Sequence, residues 1–174
     1  TKADLDNWSD QVARVAVAAG AREDDIFQIS FGYGLFTGAL GLHYGLEKIG
    51  ATVIPASSGN TSKQLMMFRD FGVTGLVATP SYAIYLSELV REGEYSLSAY
   101  KLRHGILGSE GCTAEMRERI ERNFGIRVTD NYGHDIYNNT GDLHGGLDAT
   151  PVDLSNYAHF KLVFFEGYVE LWVN

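Results

Sequence analysis

The chain has 174 residues, 45% of them hydrophobic, and a net charge of −8 from 14 Lys+Arg against 22 Asp+Glu. That suits one globular domain with a sizeable core, and the acidic balance excludes the cationic footprint that nucleic-acid binding needs. Cys112 is the single cysteine, so neither an intrachain disulfide nor a cysteine-rich zinc site can form. The sequence carries no apolar signal core and no run of about 18 apolar residues to span a membrane. These features lead us to expect a soluble acidic domain in a reducing cytoplasm.

From Thr1 to Gly20 the residues Leu5, Trp8, Val12, Val15, Ala16 and Ala19 recur at helical spacing, and Gly20 suits the left-handed position after the last turn. Thr1 already sits at the cap, so we expect sequence upstream in a longer parent. Ile26 to Phe31 is a short apolar run, read as a strand, and Gly32-Tyr33-Gly34 is the turn that follows it. The next helix, to Ile49, is apolar almost all round and is predicted to be buried. Thr52 to Pro55 reads as a strand and Ser57-Ser58-Gly59-Asn60 as a loop. Thr61 is placed to cap a helix running to Phe71. Gly75 to Thr79 is a further buried strand. A helix over Ser81–Arg91 and a polar connector from Gly93 to Lys101 follow, then a strand at Leu102–Leu107, a helix at Thr113–Phe124 and a strand at Ile126–Asn131.

Strands alternating with helices of this length predict an α/β fold, a doubly wound and mostly parallel sheet with flanking helices. In such a sheet the loops at the carboxyl ends of the strands form the ligand crevice. From Gly133 the pattern changes. Residues 134–159 lack periodicity and read as loop, whereas Phe160–Phe165 and Tyr168–Val173, separated by Glu166-Gly167, predict a C-terminal β-hairpin. The run FKLVFF has high β propensity and low charge, an aggregation hazard if its edge stays unpaired.

Several stretches carry a resemblance: FGYGLFTGALGLHYGLEKIGATVIPASSGNTSKQL at 31–65, TPSYAIYL at 79–86, GSEGCTAEMRERIE at 108–121 and TDNYG at 129–133. In order and spacing they resemble the phenylacetate–coenzyme A ligase family of acyl-adenylate-forming enzymes. The resemblance covers about residues 1–133, the middle of that family's large N-terminal domain, and leaves 134–174, a loop and β-hairpin tail, outside it. It implies an enzyme that activates an aryl carboxylate with ATP and Mg2+ and passes the acyl group to coenzyme A. It also places the family's phosphate loop just before Thr1 and its adenylation lysine on a further C-terminal domain. The expectation is therefore a fragment or truncated relative that binds acyl group and adenylate at most, with no catalytic residue assigned.

The site residues follow from the same resemblance. Tyr33, Gly34 and Phe36 match the segment lining the aryl pocket, where an aromatic wall suits a phenyl ring; Phe36 reads equally well as core on a buried helix. Ser109, Glu110 and Gly111 match a turn against the adenine, with Gly111 in place of the family's Pro and Cys112 in place of its aromatic residue. On its own chemistry Glu110 also reads as a carboxylate favouring the N-terminus of the helix after it. Asp130, Asn131, Tyr132 and Gly133 match the family's Asp-x-Tyr-Gly, whose tyrosine packs on adenine. Further on the family has a glutamate that holds magnesium; this chain has Ile136 where that glutamate is expected, and Asp135, one place early, would substitute only if the turn shifts. Ile136 cannot ligate a hard cation that wants oxygen, so no metal site is predicted.

Residues Tyr137 to Leu143 look like a ribose-gripping Tyr-x-Thr-Gly-Asp signature, brought here by deletion or matched by chance in an Asn/Gly-rich loop. His134, His144 and His159 with Asp135, Asp142 and Asp148 fit no standard metal-ligand spacing. His43 reads as a hydrogen-bonded core residue. Two rival readings remain. One is a non-catalytic scaffold whose C-terminal hairpin edge binds a partner or a second copy. The other is a small flavodoxin-like nucleotide binder using Ser57–Thr61 as a phosphate turn.

Overall fold

The computed structural model describes residues 1–34, 37–93, 97–131, 160–165 and 168–173. Their element order is α1 (Lys2–Ala18), β1 (Ile26–Ile29), α2 (Thr37–Lys48), β2 (Thr52–Ile54), α3 (Thr61–Asp70), β3 (Gly75–Ala78), α4 (Pro80–Glu92), β4 (His104–Gly108), α5 (Ala114–Phe124) and β5 (Arg127–Asn131). A short 3-10 turn over Leu97–Ala99 precedes β4. β6 (Phe160–Phe165) and β7 (Tyr168–Val173) follow. The first five strands form one sheet in the order β2-β1-β3-β4-β5, every pair parallel. This is the doubly wound α/β architecture expected, with the strand order of the flavodoxin-like class. β6 and β7 pair antiparallel in a separate two-stranded sheet, as the hairpin reading predicts.

Both faces of the sheet are covered, which is why β3 is buried at every position. On one face Phe27, Ile29, Val77 and Ile106 pack with Ala16 and Ala19 of the α1 segment and Ala39 and Leu46 of α2. On the other, Leu76, Ala78, Leu107 and Val128 pack with Phe68, Leu86, Val90, Ile120 and Phe124 from α3, α4 and α5. The two helices of the first face lie close. A Cβ at Gly41 would stand 2.4 Å from the Trp8 indole, and one at Gly45 would stand 2.6 Å from Val12.

Helix ends follow local chemistry. Thr1 caps α1 by accepting from the Asp4 N–H at 3.3 Å, and Gly20 takes φ +98° after the last turn. Two expectations need correction. The cap of α3 is Asn60, which takes a left-handed backbone and accepts from the Lys63 N–H at 3.2 Å. Thr61 is the first helical residue instead, with its hydroxyl 3.3 Å from that of Tyr82. Nor is α2 buried all round. Leu40 and Tyr44, four residues apart on one face, are 38% and 40% exposed, because α1 and the sheet cover only the opposite side.

The amino ends of the strands are tied by Asp25, a fully buried carboxylate just before β1. Its Oδ1 accepts from the Thr74 hydroxyl at 2.5 Å and from the Arg103 guanidinium at 2.6 Å, and its Oδ2 accepts from the Arg22 N–H at 2.8 Å. Thr74 Oγ1 in turn accepts from the Ile26 N–H at 2.8 Å. One side chain thus joins the segments that lead into β1, β3 and β4. Burial pushes the Asp25 carboxyl up, but the Thr74, Arg103 and Arg22 donors and the nearby His104 outweigh it and hold the group below its ordinary 3.8. Burial also holds His104 below its ordinary 6.5, against the pull of the Asp25 charge.

Both shifts make stability fall on acidification. A neutral His104 opposes protonation, so stability declines as pH falls below 6.5. The Asp25 contribution is fully present above 3.8 and is lost as pH drops through its lower folded value. Asp25→Ala is expected to remove about 3 kcal/mol of unfolding free energy in urea titrations. The advantage of wild type over Asp25→Asn should hold above about pH 4 and shrink as the pH falls further; a difference that stays constant on acidification below that point would contradict the assignment.

Candidate functional site

Because the five strands are parallel, the loops after β1, β3 and β4 and the carboxyl end of β5 lie along one edge of the sheet. The order reverses at β1, which has β2 on one side and β3 on the other, so the crevice of a doubly wound sheet is centred over β1 and β3. Tyr33 and Gly34 follow β1, Ser109, Glu110 and Gly111 follow β4, and Asp130 and Asn131 end β5. β1 and β4 are separated by one strand, about 10 Å centre to centre. Phe36, Tyr132 and Gly133 lie outside the described residues, as do Asp135, Ile136 and the whole of 134–159.

The turn after β4 is shaped by its neighbours. Gly108 faces Asn131 in the parallel register, and a Cβ there would stand 2.4 Å from the Asn131 carbonyl oxygen. Only glycine permits this approach, which sets the Ser109–Gly111 turn beside the end of β5. Ser109 follows with φ +68°, a left-handed backbone uncommon for a non-glycine residue. The Glu110 carboxylate accepts from the Ser81 N–H at 3.2 Å, so it sits at the N-terminus of α4. Glu110 does serve a helix N-terminus, but of α4, 29 residues back, rather than of α5 as its place in sequence suggests. The α5 end is capped by the Thr113 hydroxyl, which accepts from the Met116 N–H at 3.2 Å. Ser81 and its cap Thr79 therefore join the site; the TPSY motif is the signal that marks them.

Asn131 is half-buried, and its side-chain Nδ2 is shielded from solvent with no hydrogen-bond partner among the described residues. A buried donor left over at a rim suits an acceptor on a ligand. A Cβ at Gly111 or Gly34 would meet no described atom within 4 Å. On the first face, the Tyr33 hydroxyl lies 3.0 Å from His43 Nδ1. His43 is thus hydrogen-bonded, as its setting on an apolar helix suggests, though half-buried rather than fully enclosed.

The Ser57–Thr61 turn is organised from below. Gln64, fully buried on α3, donates to the carbonyls of Ser57 and Gly59 at 2.9 and 3.0 Å. Its Oε1 accepts from Ser30 and Gln28 at 2.5 and 2.9 Å. With Asn60 already serving the amides at the start of α3, this turn is a braced wall of the rim, and the phosphate-cradle reading loses its support. Among the described residues no group of three or more His, Cys, Asp or Glu could hold a metal ion, and no helix is long and apolar enough to cross a membrane. A groove of about 480 Å3 between α3 and α4, lined by Ser62, Leu65, Met66 and Leu89 among others, shares no residue with the rim loops.

No protein-family model matches the chain. It is 48% identical over 134 residues to the phenylacetate-coenzyme A ligase of Escherichia coli (strain K12), an alignment covering 76% of this chain and 31% of that protein. Over 133 residues it is 41% identical to the phenylacetate-coenzyme A ligase of Thermus thermophilus, again covering 76% of this chain and 30% of the relative. The chain thus spans about a third of the length of these curated relatives. Its fold is similar to that of a 2-hydroxyisobutyryl-CoA ligase solved with 2-HIB-AMP and CoA, with TM-score 0.70 at 24% identity over 75% of this chain and 29% of that one. A benzoate CoA ligase from Burkholderia xenovorans LB400 shares the fold at TM-score 0.54 and 18% identity, over 71% of this chain and 26% of that one.

Two results are expected from this geometry. Gly108→Ala forces the ends of β4 and β5 apart and should lower stability by about 2 kcal/mol, with the Asn131 amide resonance displaced; an unperturbed Asn131 would refute the close approach. Burial and the Asp130 charge push the Cys112 thiol up to about 11. At neutral pH its reaction with a disulfide reagent should run more than about tenfold slower than that of a free cysteine peptide.

Proposed function

Over the three-quarters of its length that aligns, the chain belongs to the phenylacetate–coenzyme A ligase family, and from that premise we propose that it is a segment of an aryl-acid coenzyme A ligase. In this reading residues 1–133 hold the acyl pocket and one wall of the adenine site, and 134–174 form a separate tail. ATP activates the acid as an acyl-adenylate, with pyrophosphate leaving, and the thiol of coenzyme A then displaces AMP. The part of that reaction proposed for residues 1–174 is binding of the acyl group and the adenylate. The cytoplasm, where ATP and coenzyme A are abundant, is its proposed location.

The observation that carries this reading is the approach of Gly108 to Asn131. It sets the Gly111 turn, anchored through Glu110 to the start of α4, beside the Asn131 donor, which has no partner among the described residues. A planar base has room against that turn, and an acceptor on its edge has a partner in Asn131. Asp130 belongs to the same wall, and Tyr132 and Gly133, as the next residues in sequence, are proposed to extend it. Tyr33, Gly34 and Phe36 are proposed to wall the aryl ring, where burial of an aromatic face supplies affinity. Among the described residues no group of three or more His, Cys, Asp or Glu gathers, and an ion accompanying ATP would draw oxygens mainly from its phosphates.

A second reading rests on the β6–β7 pair, a two-stranded sheet separate from the main one. Two strands leave two outer edges, and an unpaired edge is a template for another strand. The tail would then mediate self-association, seen as a sedimentation mass that rises with concentration.

Calorimetric titration with a non-hydrolysable phenylacetyl-adenylate analogue tests the main proposal. Saturable binding is expected, with Glu110→Ala and Tyr132→Ala each weakening it by about tenfold. Absence of binding in the wild-type chain would overturn it.

A further inference from the structure

Tyr33 stands where β1 gives way to the rim, and its hydroxyl is already engaged. Its oxygen is 3.0 Å from His43 Nδ1, and the two rings meet edge-on, 87° apart with centroids at 5.8 Å. On the far side of the imidazole, Glu47 Oε1 lies 3.3 Å from Nε2, one turn further along α2. A carboxylate beside Nε2 favours the tautomer that keeps its proton there, which leaves Nδ1 as an acceptor for the Tyr33 O–H. Burial, reinforced by the Glu47 charge, pushes the Tyr33 phenol up to about 12, so it remains a neutral donor. Tyr33, His43 and Glu47 form a chain that points the phenol into α2.

We propose that His43, braced by Glu47, is a positioning and specificity residue of the acyl pocket. By taking up the Tyr33 proton it leaves the tyrosine ring, and no O–H donor, to face the ligand, and so favours an aryl acid whose ring carries no hydroxyl. The proposal rests on the reading of Tyr33 as a wall of that pocket. A substrate hydroxyl placed against this wall would leave water without gaining the Tyr33 O–H as a donor, since His43 already takes it up. Apolar walls reject an added hydroxyl only moderately, so discrimination between about tenfold and a hundredfold is expected.

The test compares phenylacetyl- and para-hydroxyphenylacetyl-adenylate analogues on the full chain. Wild type should prefer the phenyl compound by the factor given above. His43→Leu frees the Tyr33 hydroxyl and should bring the preference within about threefold. His43→Asn retains a side-chain oxygen near the position of Nδ1 and should restore most of it. A preference that survives His43→Leu undiminished overturns the proposal. The nitrogen-15 spectrum of His43 in ligand-free protein supplies a readout independent of ligand. An unprotonated, accepting Nδ1 that becomes partly protonated in Glu47→Leu supports the chain, whereas a protonated Nδ1 in wild type overturns it. If wild type binds neither analogue, the aryl-pocket reading fails on its own, and the spectrum still decides whether His43 holds Tyr33.

Discussion

The structure depends first on a buried carboxylate. Asp25 is fully enclosed, and its partners come from the turn before β1, the start of β3 and the start of β4. A charge removed from water is tolerated only when its lone pairs are satisfied, so these segments must meet in one arrangement. Parallel strands have no hairpin turns to fix their register. A polar tie at their amino ends supplies that constraint, and it determines where their carboxyl ends stand. The rim loops are therefore placed in part by a residue at the opposite end of the sheet.

At the rim the controlling term is steric. The contact between Gly108 and the Asn131 carbonyl draws the β4 turn against β5, and Glu110 ties the same turn to α4. The Gln64 hydrogen bonds brace the turn after β2 in a similar way, within reach of Gly32, whose Cβ, if present, would stand 3.6 Å from Ser58 Oγ. Backbone held by buried side chains keeps the rim loops in one arrangement, which lowers the ordering cost of binding a ligand there.

Much of the fold was legible in the sequence because it rests on local signals. Glycines such as Gly20 end helices, unalternating apolar runs mark buried strands, and their alternation with helices marks the class. What escaped were relations across distance. The strand order is set by which faces pack together, and no local run encodes it. Asp25 lies within an acidic stretch that reads as solvated, and its burial follows only from Thr74 and Arg103 far along the chain. The exposure of Leu40 and Tyr44 was misread because an apolar pattern reports what a helix could bury, not what is present to cover it. At the site, motif matching located the rim residues, but Ser81 as the anchor of Glu110 emerged only in three dimensions.

The central claim is that the rim loops, and not the groove between α3 and α4, receive an acyl-adenylate. Amide chemical-shift mapping during titration with a phenylacetyl-adenylate analogue tests it most directly. The account predicts shifts concentrated at residues 31–34, 79–81, 108–112 and 130–131. Shifts confined to Ser62, Leu65, Met66 and Leu89, or none at saturating ligand, would contradict it.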